Sequence, residues 1–285
     1  MNVKTIIFPS SYFSDDRPDE DLQSEYDATA GTGLFETVLF SNDKWFSDEK
    51  LVLNNAPTEL KYAVYRGWMM KPELYGKFCE KLREKNIRLL TTPSAYEKFH
   101  IFPNIYPELE NDTAKMLVFP NSKNIDLEKI KSAFSKFMVK DFVKSVKGTN
   151  FPKYFDSSVT REEFDRQMEL FCELRGSLYT GGICIKEFLE LKKYDGFTNE
   201  FRVFYINNKI ASVSRNSMQP LYTPEPPEKL IEKYAKLDSP FYTVDYAQTQ
   251  DGEWKIIEAG DGQVSGLSPG QDNYVFFKSL YYCIN

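Results

Sequence analysis

The chain has 285 residues, 41% of them apolar and 15% aromatic, which at roughly 150 residues per domain allows about two compact lobes. Its 36 basic and 42 acidic residues leave a formal charge of -6, which argues against a general nucleic-acid binder that works by neutralising phosphate. The single histidine, His100, excludes a two-histidine zinc site and is read as structural, so chemistry is expected from Lys, Arg, Asp and Glu. Cys79, Cys172, Cys184 and Cys283 lie far apart without a CxxC pair and suit a reducing cytosol. The apolar run before Pro9 is too short for a signal sequence, and no apolar stretch is long enough to span a bilayer; a cytoplasmic protein is expected, with no membrane partner.

Residues 3–8 read as a buried strand, followed by an acidic loop from Pro9 to Tyr26 that leads into a helix; Asp15, Asp16, Asp19, Glu20 and Asp21 surround its Pro18. Strands are expected at 34–40 and 63–65, the second ending at Arg66-Gly67-Trp68. Pro72 opens a helix to Arg83 on which Leu74, Phe78 and Leu82 recur at helical spacing. This alternation makes residues 1–110 an α/β lobe. From Asp112 the pattern changes. A strand at 116–119 precedes a helix capped by Asp126, with Leu127, Ile130, Phe134 and Phe137 on one face, and then a strand at 138–143 that carries Lys140. Thr160-Arg161-Glu162-Glu163 has capping-box spacing and starts an amphipathic helix to about Arg175. Gly181-Gly182 starts a strand at 183–188. The remainder reads as antiparallel strands at 200–206, 209–214, 243–249 and 254–258, with turns at Asn207-Asn208 and Asp251-Gly252.

The last strand pair brings Asp245 beside Glu258, with Asp261 just beyond in Gly260-Asp261-Gly262. Three carboxylates need a cation, and oxygen-only ligands suit Mg²⁺ or Mn²⁺ completed by substrate phosphates; solvated acids around a hairpin are the other reading. Lys140 and Lys144 alternate with apolar residues and precede Lys147-Gly148-Thr149, so they either meet a phosphate chain or snorkel from a strand end. Lys186, in Ile185-Lys186-Glu187-Phe188, needs an anionic partner from the protein or from a ligand. Arg202 alternates with Val203 and Tyr205, and Arg215 ends the paired strand. Two guanidinium groups near such carboxylates suit a developing phosphoryl or acyl-phosphate transition state, although each alone is more often a surface ion pair. Arg66 either clamps an anion facing the second lobe or pairs with the acidic segment after Pro9.

Taken in order, Phe8-Pro9-Ser10, Tyr65-Arg66-Gly67-Trp68-Met69, Val139-Lys140-Asp141-Phe142-Val143-Lys144-Ser145, Ile185-Lys186-Glu187-Phe188-Leu189, Glu200-Phe201-Arg202-Val203-Phe204 and Ile257-Glu258-Ala259-Gly260-Asp261-Gly262 resemble the ATP-grasp superfamily. Within it they resemble the clade named for one arginine and two lysines. The resemblance implies a mixed α+β and α/β chain: a pre-ATP-grasp α/β domain at 1–110, then an ATP-grasp domain at 111–285 whose two α+β subdomains clasp ATP and meet near 186–190. It implies phosphate contacts from Lys140 and Lys186, adenine against the backbone of Glu187, Phe188 and Leu189, phosphoryl stabilisation by Arg202, and Mg²⁺ on Asp245, Glu258 and Asp261. Lys144 and Arg215 are further candidates for the nucleotide, and Arg66 joins Arg202 and Lys186 as a catalytic candidate. The superfamily metal motif usually ends in asparagine, whereas this chain offers Gly260-Asp261-Gly262.

The activity implied is ATP-dependent carboxylate–amine ligation through an acyl phosphate, with a peptide or protein terminus as a candidate substrate. The alternatives are a kinase on the same scaffold and a nucleotide-binding interaction module without turnover.

Overall fold

The opening apolar run forms the central strand of the first sheet. The computed structural model describes residues 3–120, 125–146 and 148–285; of the candidate loop lysines, Lys147 lies outside the described residues. β1 (Val3–Ser11) turns back into β2 (Ser14–Pro18), then α1 (Gln23–Thr32), β3 (Glu36–Phe40), α2 (Asn42–Asp48), β4 (Lys61–Tyr65), α3 (Pro72–Glu84), β5 (Ile87–Leu89), α4 (Pro93–His100) and α5 (Phe102–Leu109) follow. β3, β1, β4 and β5 pair in parallel in that order, with β2 antiparallel on the end of β1. Both faces of such a sheet must be covered. Ile7, Phe40, Ala63 and Tyr65 pack against Phe78 and Leu82 of α3, while Ile6, Phe8 and Val64 face the other way.

The second sheet comes from β6 (Met116–Phe119), β7 (Lys136–Asp141), β8 (Phe155–Asp156) and β9 (Ile183–Glu187), antiparallel in the order β6-β9-β7-β8. α6 (Leu127–Ala133) and α7 (Arg161–Arg175) cover one face through Ile130, Phe164, Met168 and Phe171. Asp126 and Thr160 cap them as the sequence implies, accepting from the backbone N–H of Lys129 and Glu163. The helix stops at Ala133, however. Phe134 is already extended and Phe137 lies in β7, so these two aromatics join the same core from the strand side. At the start of β9, a Cβ on Gly182 would collide with the carbonyl of Phe119 and the backbone of Pro120. Gly182→Ala should therefore destabilise the protein by about 1–3 kcal/mol, read as a melting temperature several degrees lower.

Two short strands, β10 (Lys193–Tyr194) and β11 (Phe197–Thr198), lead into the third sheet of β12 (Glu200–Ile206), β13 (Lys209–Arg215), β14 (Phe241–Gln248) and β15 (Trp254–Asp261). Its order is β13-β12-β14-β15, all antiparallel. Asn207 and Asn208 both have positive φ, as a two-residue primed hairpin turn requires. α8 (Glu228–Lys233) packs with α4 and α5 on Val203, Tyr205 and Val244. The chain closes with α9 (Asn273–Ile284), where the sequence predicts strands only. Phe276, Phe277, Leu280 and Ile284 of α9 join Phe204 and Ile206 to Val3, Ile6 and Phe8, so one apolar core links the first sheet to the third.

Candidate functional site

Alternation in β7 buries Phe137 and Val139 in the second core and turns Met138 and Lys140 to the opposite face. Antiparallel β9 places Lys186 opposite Met138, so two ammonium groups share that face. The Lys140 ammonium makes no hydrogen bond or ion pair among the described residues. Lys186 is 4% exposed, with Nζ 3.2 Å from the carbonyl of Ile257 and 4.2 Å from the ring centre of Phe102. Burial, then repulsion from Lys140, brings its pKa down to about 7. Among the described residues the Lys186 ammonium hydrogen-bonds only to a carbonyl, and a buried lysine facing a second cation would be stabilised by an added anion.

Across the cleft, β14 and β15 put Asp245 directly opposite Glu258. Arg202 of β12 lies beside Asp245 and holds it through two parallel bonds, Nε to Oδ1 at 2.8 Å and Nη2 to Oδ2 at 2.6 Å, while its Nη1 donates to the carbonyl of Gly266 at 2.8 Å. Lys144 approaches from the second sheet, its Nζ 3.5 Å from Oε1 of Glu258. Buried Asp141 directs that approach: its Oδ1 accepts from the backbone N–H of Val143 and Lys144, and its Oδ2 is held by Arg175 at 2.8 Å.

These groups line three adjoining spaces that share side chains. A space of about 680 Å³ runs from Met138, Leu189 and Leu191 to Lys140, Lys186 and Glu258. Past the two lysines it adjoins a space between Lys144, Arg202 and Glu258, where buried His100 stacks on Tyr96. Burial, and then Lys144, push the imidazole pKa down to about 4, so His100 is neutral at physiological pH. An apolar end, a cationic middle and an arginine–carboxylate end match a nucleotide lying with its terminal phosphate toward Arg202.

The model of an ATP-grasp domain family, the third family of the clade named for one arginine and two lysines, matches residues 128–280, more than half of the chain. The chain belongs to this family. Among solved structures, a RimK domain protein ATP-grasp from Sphaerobacter thermophilus is 15% identical with a TM-score of 0.63, covering 98% of this chain and 99% of its own. D-alanyl-alanine synthetase A from Vibrio cholerae is 12% identical with a TM-score of 0.59, covering 99% of both chains. The ATP-grasp ligase PsnB, solved with a minimal precursor, Mg and ADP, is 12% identical with a TM-score of 0.59, covering 96% of both. At these identities the likeness establishes the ATP-grasp fold. Among curated proteins, none matches the chain by sequence.

Within this ATP-grasp chain, several expected site residues stand elsewhere. Strand β15 continues through Asp261, so its alternation turns Asp261 away from Glu258, and Asp261 pairs with Tyr242 rather than lying in a loop. Oδ1 of Asp261 accepts from the backbone N–H and the amide of Gln263, while Oδ2 is buried without a partner. Burial pushes its pKa up to about 7. Among the described residues no set of three Asp, Glu, His or Cys side chains could hold a metal. Asp245 and Glu258 remain as an all-oxygen pair, which fits Mg²⁺ when phosphate oxygens and water complete the shell.

Asp261→Asn separates these roles. The folded carboxyl holds its proton up to about pH 7 while the unfolded one releases it near 4, so the wild type loses stability as pH rises across that window. The asparagine variant should lack this loss, melt higher than wild type at pH 8, and bind Mg·ATP unchanged; thermal melts at pH 5 and 8 with a nucleotide titration check it.

Arg66 is 1% exposed and faces the first lobe's own Glu25: Nε and Nη2 bond its carboxylate at 2.8 Å, and Nη1 donates to the carbonyls of Gly262 and Ser265. It is thus a tie holding the segment after β15, whose Gly266 carbonyl receives Arg202, and not an open anion clamp. Arg215 lies outside the cleft as well, donating to the carbonyls of Leu221 and Thr223. Phe188 packs at a tilt against Tyr154 beneath the ammonium of Lys136, while its neighbours Glu187 and Leu189 line the 680 Å³ space. Sequence reasoning missed Glu25, Asp141 and Glu200, which also lines that space. Asp141 was available as an Asx-type turn signal at the strand end; Glu25 carried no local signal.

Proposed function

We propose that the protein is an ATP-dependent ligase that joins a carboxylate to an amine through an acyl phosphate, with a peptide or protein as one substrate. The observation that carries this reading is the pair of cations Lys140 and Lys186, set between the space lined by Met138, Leu189 and Leu191 and the Arg202–Asp245–Glu258 group. Residues 1–110 serve as the pre-grasp domain and 111–285 as the grasp, with its subdomains meeting near 186–190.

Lys140 and Lys186 hold the phosphates, and the backbone around Glu187 and Leu189 meets adenine. Asp245 and Glu258 would hold Mg²⁺, which when bound neutralises phosphate charge. The substrate carboxylate oxygen attacks the γ-phosphorus and ADP leaves; Arg202, already fixed by Asp245, stabilises the charge that develops on the transferred group. The amine nitrogen then attacks the acyl carbon, and phosphate departs as the amine loses its proton. Positioning and electrostatics supply this catalysis, which suits a site whose only imidazole is buried and neutral.

Incubation with Mg·ATP and matched pools of acids and amines should release ADP and phosphate only when both pools are present. Release of AMP and pyrophosphate would overturn the reading. A stable phosphorylated acceptor formed without amine would assign a kinase instead.

A further inference from the structure

Across Met69, Val264, Ser265 and Gly266, which line both, the space at Arg202 adjoins one of about 1040 Å³ between the first lobe and the segment that follows β15. The charge of its walls is unlike that of the phosphate end. Arg66 is the only cation among the described lining residues, and Glu25 together with two backbone carbonyls already occupies its guanidinium. Glu25 is neutralised by the same bonds. Asp21, exposed at the rim, has no ion pair among the described residues and leaves the space with a net negative wall. The same space is lined by the indole of Trp68, 40% exposed and fixed by a 3.0 Å bond from Nε1 to Oδ2 of Asp19. Met69, also partly exposed, continues the apolar surface toward the transfer end.

A carboxylate entering here would meet Asp21 with no free cation to receive it, whereas an ammonium would find a counter-charge, so of a ligase's two substrates the amine suits this space. An exposed aromatic face lining the same space as an uncompensated carboxylate is an environment that suits ammonium or guanidinium groups.

We propose that the 1040 Å³ space takes the amine-side substrate, and that this substrate is a basic amine: a diamine, or an amino acid or peptide whose basic side chain lies between Trp68 and Asp21 while its reacting nitrogen points past Gly266 to the transfer end. The assignment of this ligand as the amine of the reaction rests on the ligase reading; its binding does not.

Calorimetric titration compares three probes of similar length: lysinamide, norleucinamide, which lacks the side-chain charge, and isoglutamine, which carries a side-chain carboxylate. Each is run with and without Mg·AMP-PNP. Lysinamide should bind about tenfold more tightly than norleucinamide, the size expected of one partly desolvated cation–π and carboxylate contact, with isoglutamine weakest. Asp21→Asn and Trp68→Ala, both at exposed positions and checked by thermal melting, should each reduce that preference. Equal or reversed preference, or no binding by any of the three, overturns the inference. If lysinamide binds in an Asp21-dependent way while Mg·AMP-PNP does not bind, the inference holds and the ligase reading fails. If Mg·AMP-PNP binds and ADP release requires a neutral or acidic amine, the ligase reading holds and the inference fails.

Discussion

Lys186→Met should weaken Mg·ATP binding by about 2–5 kcal/mol, thirty-fold or more, while making the nucleotide-free protein more stable. The opposite signs arise from one cause. The ammonium is buried at 4% exposure and among the described residues hydrogen-bonds only to a carbonyl, so it costs stability in the nucleotide-free protein, a cost that the proposed phosphate contact would offset. Its folded pKa, about 7, lies below the ordinary lysine value of 10.5, so between these values the unfolded chain binds more protons than the folded one. Stability of the nucleotide-free wild type should therefore rise with pH through that window, and this rise should vanish in the methionine variant.

Binding has the reverse dependence. Phosphate favours the charged ammonium and raises its pKa, so nucleotide binding at pH 8 takes up nearly one proton, and at pH 6, where the group is already charged, takes up little. Affinity falls as pH climbs above about 7, by up to tenfold per unit. Calorimetry in buffers of different ionisation enthalpy measures the uptake directly. Equal uptake by wild type and Lys186→Met would remove Lys186 from the phosphate site.

Arg66→Ala should destabilise the fold by about 3–5 kcal/mol, lowering the melting temperature on the order of 10 °C, because it leaves Glu25 charged, buried and unpaired. The same change frees the carbonyls of Gly262 and Ser265 and loosens the segment whose Gly266 carbonyl receives Arg202. Arg66→Met combined with Glu25→Met keeps the volume and removes both charges; it should recover most of the lost stability. Were Arg66 instead an anion clamp, Arg66→Lys would melt like wild type and lose substrate affinity. Thermal melts of the three variants separate the two roles.

Much of this site is legible in local sequence. The alternation around Lys140 and Lys186 shows that each interrupts an apolar strand, and the hairpin about Asp251-Gly252 brings Asp245 opposite Glu258, a pairing the two strands reach through a register shift between Asp245 and Tyr246. Three features escape for physical reasons. The glycines on either side of Asp261 read as a loop that would leave it beside Glu258; β15 instead runs through Gly260 to Asp261, and the two-residue period turns the side chain over. For Arg66 the sequence leaves open an anion clamp or a pair with the acidic segment after Pro9; which of these holds, and that the acid is Glu25, 41 residues away on α1, is set by the packing of the whole first core. Helix α9 does carry a signal: Asp272 as its cap, with Phe276, Phe277, Leu280 and Ile284 at helical spacing. The run of hairpins before it masks that signal.

The central claim is that the cleft between Lys186 and Arg202 transfers a phosphoryl group from ATP. Its most direct test is the affinity for Mg·ADP with and without aluminium fluoride, a planar mimic of the group in flight that requires no knowledge of either substrate. Fluoride should tighten ADP binding by about 100-fold or more, and Arg202→Ala should abolish that gain while leaving the affinity for Mg·ADP alone within a few-fold of wild type. Equal affinity with and without the fluoride, or a gain that survives Arg202→Ala, would contradict it.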